Sequence, residues 1–279
     1  MTSLTKSDEI DKETGLLICS AVRYETPVGK CYGYKNGAVT KAASHRSTNA
    51  IGETHTFKSF EEFTCWRKSL TSEYMLVSGT FETVGDIPVV YKGEEKTGEV
   101  SASKKHLAHR EQPGTCIGDI DFKEPDEVAG LYLGGDQPYT TQEAALNALS
   151  KVLPEADGSA LLIGWSTSSN IFKGDKQVKG KGGIRIYLPI TDASKIPEIL
   201  DIMHKRSWTN GEGWGFVDKA GQFQERSLFD MALKTVTQPD YAAPDLHDGL
   251  TQDREWAEYE GGWLDPDTVV PLTPDEEEE

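Results

Sequence analysis

Two aspartates placed two residues apart, Asp119 and Asp121, are the most informative side chains of this sequence. They lie in the short apolar run from Ile117 to Phe122. If this run is a β-strand, successive side chains alternate between faces, so both carboxylates point from one face. Two neighbouring carboxylates repel each other, and a Mg²⁺ or Mn²⁺ ion between them would offset that repulsion. The pair predicts a site for metal-assisted phosphoryl chemistry at a strand end, or else an exposed pair of acids in a turn.

A strand with an arginine in it follows a segment rich in Lys and Gly. Residues 173–183 carry four lysines and lead directly to Arg185. Glycines allow a ligand to approach the backbone and lysines suit phosphate oxygens, but the glycine spacing is not that of a P-loop. A phosphate-binding loop and a solvated hairpin therefore both remain open. Arg185 and Tyr187 share one face of the strand, and a guanidinium there could bind a triphosphate or form a salt bridge to an acid of the sheet.

Two further features, Asp230 and the run Ser166–Asn170, each allow a structural and a functional interpretation. Asp230 is a lone acid among apolar neighbours, so it is either a metal ligand or a buried acid with a partner. The hydroxyl-rich run Ser166–Asn170 could bind phosphate or form a turn. The four cysteines are scattered without a C-x-x-C pair, and the histidines show no ligand spacing, so the sequence does not predict a structural zinc site.

The charge of the chain is unevenly distributed, which matters for any partner that carries phosphate. The formal net charge is −17, and residues 238–279 contain fourteen acidic residues against one basic residue, Arg254. Because the remaining body is close to neutral, local basic patches can still bind DNA. The chain has no apolar run of about 20 residues and no hydrophobic stretch typical of a signal peptide near its start. We therefore expect a cytosolic protein.

The order of predicted elements indicates an α+β fold. Strands and helices in the second half alternate as β–α–β–β–α–β, the order of a ferredoxin-like sheet with helices on one side. The predicted units are an N-terminal α/β unit at residues 1–100, an RRM-like unit at 101–237, and an acidic C-terminal extension at 238–279. The predicted helices cover Phe60–Leu70, a segment opening at Thr141, and Lys195–Arg206.

Taken in order, these motifs resemble the archaeo-eukaryotic primase superfamily, in particular the primase-polymerase domains of phages and plasmids. Asp119-Ile120-Asp121 is similar to the first family motif, and Asp230 to the third, a single acid. Trp165–Asn170 followed by Lys179–Tyr187 is similar to the second, which is Ser-x-His before an apolar strand. The runs Asp192–Pro197, Trp208–Gly215, Arg226–Asp230 and Ser101–Lys104 also resemble segments of phage members. The resemblance spans about residues 60–233.

The resemblance implies a function and assigns roles to residues. It implies a primase fold that carries out template-directed nucleotidyl transfer from nucleoside triphosphates to a 3′-hydroxyl, with Mg²⁺ or Mn²⁺ in a two-metal site. The implied metal-binding and catalytic residues are Asp119, Asp121 and Asp230. The implied triphosphate-binding residues are Ser168, Lys179, Lys181 and Arg185, and the implied DNA-binding residues are Lys104, Lys105, Lys173 and Lys176.

The same resemblance implies partners and a setting. The partners are a single-stranded DNA template, nucleoside triphosphates and a fused or associated replicative helicase, with no membrane. The compartment is the cytoplasm, or the host cytoplasm if a phage encodes the chain.

Two departures from the family pattern keep other functions open. Arg185 stands where the second motif has a histidine that helps bind the triphosphate, and Ala102 stands where an arginine is expected. One alternative is a non-catalytic module that binds single-stranded DNA, which the arginine favours. Another is a metal-dependent nuclease that uses the same three acids and would not need Arg185.

Overall fold

The protein has a mixed α+β fold, as the order of its predicted elements indicates. The computed structural model describes residues 16–42, 49–82, 85–121, 132–133, 141–217 and 220–275. Its described helices are α1 (Phe60–Ser69), α2 (Gln142–Val152) and α3 (Ile196–Thr209), close to the three that the sequence predicts. None of the helices in these ranges is long and apolar enough to cross a membrane.

Side-chain caps and an apolar stripe explain why these helices form where they do. The Ser59 hydroxyl accepts a hydrogen bond from the Glu62 amide at the start of α1, and Thr141 does the same for Ala144 at the start of α2. Pro197 lies in the first turn of α3, where its missing amide hydrogen costs nothing. Each helix buries one face, and the buried face of α1 includes Arg67.

The described strands form several mainly antiparallel sheets. In chain order they are β1 Leu17–Tyr24, β2 Cys31–Lys35, β3 Ala38–Ala42, β4 Ala50–Phe57, β5 Tyr74–Val77, β6 Thr80–Phe81, β7 Gly85–Val89, β8 Leu107–Ala108, β9 Gly114–Asp121, β10 Tyr132–Leu133, β11 Leu161–Trp165, β12 Ile171–Lys173, β13 Lys176–Lys179, β14 Gly183–Ile190, β15 Trp214–Val217, β16 Phe223–Arg226, β17 Pro239–Tyr241, β18 Asp245–Leu246, β19 Leu250–Gln252 and β20 Ala257–Tyr259.

Two of these sheets position the candidate site. The first has the strand order β17-β5-β1-β4-β7, and the second, called here the central sheet, has the order β20-β11-β14-β9. In the central sheet β14 is antiparallel to both β9 and β11. Ile120, Ile184 and Ile186 of this sheet are buried in one core cluster with apolar residues of α2 and α3. Burial of this apolar surface is the main stabilising contribution to such a layered arrangement.

The segment after Gln238, predicted as an acidic extension, contributes strands to four sheets. β17 pairs with β5, β18 with β2, β19 with β12, and β20 with β11. β18 and β2 run parallel, whereas the other three pairs are antiparallel. The described part of this segment, up to residue 275, therefore pairs with β2 and β5 of the predicted N-terminal unit and with β11 and β12 of the predicted RRM-like unit.

The Lys- and Gly-rich segment is a β-hairpin, one of the two structures that its composition allows. β12 and β13 pair antiparallel across a turn at Gly174, whose φ of 57° lies in the left-handed region that glycine adopts without strain. β19 pairs with the other edge of β12, so the hairpin is the outer part of a three-stranded sheet.

Candidate active site

Pairing between β9 and β14 brings Asp119 and Arg185 together on one face of the central sheet. The two residues are register partners, and the Nη1 atom of Arg185 forms an ion pair with Oδ2 of Asp119. Both side chains are largely buried. Asp121 is the register partner of Gly183, and its side chain lies outside the described part of the structure. Asp119 and Arg185 therefore lie on the same face of the sheet, and Arg185 forms the salt bridge to an acid of the sheet that was one of its two predicted roles.

A second carboxylate, Asp240 of β17, holds the other side of Arg185. The Nε atom of Arg185 donates to Asp240 Oδ1 at 2.9 Å. Asp240 is completely buried, and its Oδ2 accepts hydrogen bonds from Tyr187 Oη at 2.5 Å and from Arg67 Nη2 at 3.2 Å. Burial alone would raise the pKa of Asp240, but Arg67 and Arg185 outweigh it and hold this pKa below its ordinary value.

Two more arginines and a tryptophan cover this polar face. Arg67 and Arg254 both donate to the carbonyl oxygen of Ala242, at 3.1 and 2.7 Å. The guanidinium of Arg254 lies 4.3 Å from the ring centre of Trp256. Trp256 lies directly above Gly164, where a Cβ atom would be 2.3 Å from its ring. The absence of a side chain at Gly164 thus allows Trp256 to pack on the central sheet beside the arginines.

The sequence reasoning did not identify Asp240, Arg67 or Arg254 as parts of this network. One signal was available for Arg67, because it falls on the same helical face as Phe60, Phe63 and Thr64 at a spacing of three to four residues. An arginine on an otherwise buried stripe needs a buried acceptor. No comparable signal marks Asp240, which lies in a segment whose composition resembles an exposed extension.

Asp230 lies beside Asp119 through a backbone hydrogen bond. The Asp230 amide donates to the carbonyl oxygen of Asp119 at 2.9 Å. The Asp230 side chain is half-buried, and its Oδ1 accepts from the Ala232 amide at 2.9 Å, which caps the short 3₁₀ turn Met231–Lys234. The ring of Phe229 packs against Gly118, the residue before Asp119. These contacts place the third predicted acid next to the acidic strand.

The chemistry of these acids fits a hard divalent cation, because one carboxylate oxygen has no partner. Oδ1 of Asp119 is buried and accepts no hydrogen bond from any described residue. A buried carboxylate oxygen without a donor is costly, and a cation would satisfy it. Among the described residues, no group of three metal-ligating side chains with ligand atoms within 4.8 Å includes Asp119 or Asp230.

The predicted triphosphate-binding residues are not all near Arg185. Lys181 pairs with Glu255 at 2.8 Å and lies 4.8 Å from the ring centre of Trp165. Trp165 is the register partner of Ile184, so it projects from the face opposite Arg185. Ser168 accepts a hydrogen bond from Lys30 Nζ at 3.1 Å, and Lys179 is half-buried at the end of β13. Within the described residues, the contact between this set and a predicted acid is the ion pair of Arg185 with Asp119.

The predicted DNA-binding lysines lie on two exposed surfaces. Lys104 and Lys105 are exposed in the turn before β8, next to the buried residues Ser101 and Ser103. Lys173 and Lys176 are exposed and face each other as register partners in the β12–β13 hairpin. The Lys173 ammonium also hydrogen-bonds to the carbonyl oxygen of Asp248.

Comparison of the chain with family models, with curated proteins and with solved structures finds no match.

Proposed function

We propose that this protein is a DNA primase-polymerase that transfers nucleotides from nucleoside triphosphates to a 3′-hydroxyl with the help of Mg²⁺ or Mn²⁺. The observation that supports it best is the proximity of Asp119, Arg185 and Asp230. Two of the three predicted acids and the predicted triphosphate-binding arginine lie on or against neighbouring strands of one sheet. Nucleotidyl transfer needs this combination of carboxylates for cations and a fixed positive charge for phosphates.

The arrangement of elements around the site supports the finer assignment to a ferredoxin-like primase fold. The chain follows the order β9, α2, β11, β14, α3, and then returns to β9 at residues 228–230. β14 lies between β9 and β11 and is antiparallel to both. In a ferredoxin-like sheet the third strand has this central position, and the last segment lies beside the first strand. β20 occupies the outer edge of β11 as an addition to this order.

In this proposal Asp119, Asp121 and Asp230 hold the divalent cations. When bound, these ions lower the pKa of an attacking hydroxyl and stabilise the leaving pyrophosphate. Arg185 gives up its ion pair with Asp119 and directs Nη1 toward the triphosphate. Asp240 keeps its hydrogen bond to Nε of Arg185. This bond keeps the guanidinium oriented while its Nη atoms contact the triphosphate. The exposed lysines near β8 and in the β12–β13 hairpin contact the phosphates of a single-stranded template.

A second candidate function is a non-catalytic module that binds single-stranded DNA in a replication protein. The observation in its favour is that two arginines, Arg185 and Arg67, already pair with Asp119 and Asp240 in the described structure. A cation supplied by the chain itself would replace the metal ions, and the fold would keep only its basic surfaces for DNA. A metal-dependent nuclease is less well supported, because it gives no role to Arg185.

Primer extension on a single-stranded DNA template tests the proposal. We expect the wild-type chain with dNTPs and Mn²⁺ or Mg²⁺ to lengthen a primer, and Asp119→Ala/Asp121→Ala to lose this activity. Asp267→Ala, which changes an exposed acid in the short turn Pro266–Thr268, is the matched control and should extend normally. Template affinity, measured on the same samples by fluorescence anisotropy, shows whether the double variant is still folded.

The possible results separate the candidate functions. Metal-dependent extension that the double variant loses, with DNA affinity retained, supports a polymerase. Template binding without extension under any metal supports the binding module, and metal-dependent shortening of the DNA supports a nuclease. A double variant that extends as well as wild type would refute the assignment of these acids.

A further inference from the structure

Cys31, Asp245 and His247 form a cluster that no functional motif of the sequence includes. The Cys31 sulfur, a carboxylate oxygen of Asp245 and a ring nitrogen of His247 all lie within 4.8 Å of one another. His247 Nε2 and Asp245 Oδ2 are 2.9 Å apart. Cys31 and Asp245 are half-buried, and His247 is exposed. No local sequence pattern indicates this cluster, because Cys31 is more than 200 residues away from Asp245 and His247.

Backbone pairing holds the three side chains in place before any ligand binds. Cys31 of β2 and Asp245 of β18 are register partners in a parallel pair of strands. The Asp245 amide donates to the Lys30 carbonyl and the His247 amide to the Tyr32 carbonyl, both at 2.9 Å. Two hydrogen bonds thus fix the ligand-bearing backbone on either side of the cluster. Ligands on rigid elements lose little conformational entropy on binding, which favours a metal site.

The types of ligand indicate which class of ion would bind. Thiolate sulfur, imidazole nitrogen and carboxylate oxygen are the three ligand types that Zn²⁺ uses in proteins, whereas Mg²⁺ and Ca²⁺ take oxygen ligands. Sites with three protein ligands keep a fourth position for water or another molecule. We propose that Cys31, Asp245 and His247 bind one Zn²⁺ ion, or a first-row ion of similar preference, with one coordination position left open to solvent.

Two other readings of the cluster are less consistent with its contacts. In a cysteine nucleophile the thiol is hydrogen-bonded to an imidazole that acts as its base. Here the Cys31 thiol and the His247 ring both interact with the same Asp245 carboxylate. A plain surface ion pair between Asp245 and His247 would explain two of the residues, but it gives no role to the cysteine that faces them.

A bound ion would join two parts of the chain that are distant in sequence. It would connect the β2–β3 hairpin to the segment after Gln238, across the parallel pair of β2 and β18. Lys30, next to Cys31, donates to the hydroxyl of Ser168, which follows β11 of the central sheet. Because a ligand that binds only the folded state stabilises it, zinc should raise the melting temperature. This proposal does not depend on the polymerase assignment.

Cobalt and zinc titrations of the full chain, after treatment with a chelator, test the site. We expect one equivalent of Co²⁺ to bind with the absorption of a thiolate-to-metal charge-transfer band, and Zn²⁺ to displace it. Cys31→Ser should remove this band and weaken Zn²⁺ binding by more than about tenfold, the loss that removal of even an outer-shell partner can cause. Cys65→Ser, which changes an exposed cysteine on α1, is the matched control and should bind as wild type.

A second variant keeps the test decisive if Cys31→Ser fails to fold. His247→Gln changes an exposed residue, so it should fold normally, keep the charge-transfer band at higher Co²⁺ and bind Zn²⁺ more weakly. Circular dichroism confirms folding, and the rise in melting temperature at a given Zn²⁺ concentration should be smaller in both variants than in wild type. Absence of a saturable one-to-one site in wild type would overturn the proposal. Equal Zn²⁺ affinity in wild type and His247→Gln would overturn it as well.

Discussion

Arg185 joins two carboxylates that belong to different sheets. Asp119 lies on β9 of the central sheet, and Asp240 lies on β17 at the edge of the other sheet. A guanidinium can bond both acids at once because its donors form a planar fork, which an ammonium group cannot imitate. The same side chain therefore contributes to stability through Asp240 and, in the proposed reaction, to triphosphate binding in place of Asp119.

Replacement of Arg185 by lysine tests this bridging role at the level of stability. Arg185→Lys keeps the charge but leaves one of the two buried acceptors without a donor, so the unfolding free energy should fall by about 1–3 kcal/mol. Chemical denaturation measures the change. Arg23→Lys is the control, because Arg23 is 42% exposed in its pair with Glu53 and should contribute less than about 1 kcal/mol. Equal effects of the two substitutions would contradict a bridging role for Arg185.

Asp240 should make the stability of the protein sensitive to acid. Asp240→Asn removes the buried carboxylate paired with Arg67 and one of the two paired with Arg185, and we expect a loss of about 3–5 kcal/mol near pH 7. The folded-state pKa of Asp240 is lowered, so its contribution is complete above the unfolded-state pKa of about 3.9. The contribution is lost as the pH falls through the lower folded-state value.

Denaturation of wild type and Asp240→Asn between neutral and acidic pH measures this dependence. The difference in unfolding free energy should be constant above about pH 4 and should narrow below it. A difference that stays constant at every pH would show that Asp240 does not act through its charge.

At the level of single residues, the sequence indicates Asp119 and Arg185 as parts of the site but does not indicate Asp240 or Arg254. Side-chain alternation was enough to place Arg185 on a face of its strand, and the structure puts Asp119 on that same face. Alternation describes a single strand, however, and cannot identify partners from distant segments. Asp240 and Arg254 reach the site only through the tertiary fold, so local patterns in the sequence do not indicate them.

Among the elements, the contact between β9 and residues 228–230 controls where Asp230 lies. Phe229 fits against Gly118, where an added Cβ would be 2.2 Å from the ring. Gly118→Ala should push this segment away from β9, destabilise the fold by about 1–3 kcal/mol and disturb the position of Asp230. Gly180→Ala, with no heavy atom within 4 Å of its added Cβ, is the control. Thermal denaturation of both variants checks the prediction, and equal melting temperatures would contradict it.

Helices were easier to predict than strands, for physical reasons that particular residues show. α1 and α2 have capping residues, Ser59 and Thr141, that are visible in the sequence. β4 overlaps residues 25–56, whose richness in Gly, Asn, Ser and Thr predicts a hairpin or loop. Glu53 is nevertheless buried, since it pairs with Arg23 and His55, and β4 forms a full antiparallel ladder with β1.

Across the whole molecule, the acidic C-terminal segment holds the two main sheets together. Its composition suggested an extension, yet it supplies Asp240, the Ala242 carbonyl and Arg254 to the buried network. A chain ended after Gln238 would lose β17–β20 and leave Arg67 and Arg185 without Asp240. We expect it to lose cooperative thermal unfolding, whereas a chain ended after Asp275 keeps all four strands and should unfold as wild type does. A cooperative transition in the shorter chain would contradict this account.

Binding of Mn²⁺ to the free protein, followed by electron paramagnetic resonance, is the most direct test of the candidate active site. The measurement uses a Cys31→Ser/His247→Gln background, which removes two of the three ligands of the Cys31 cluster. We predict saturable Mn²⁺ binding that Asp119→Asn weakens by at least about tenfold, because this change removes the charge of a proposed ligand. Asp175→Asn, at an exposed turn, should bind as the background does. Equal Mn²⁺ affinity in Asp119→Asn and the background would contradict the proposed metal site.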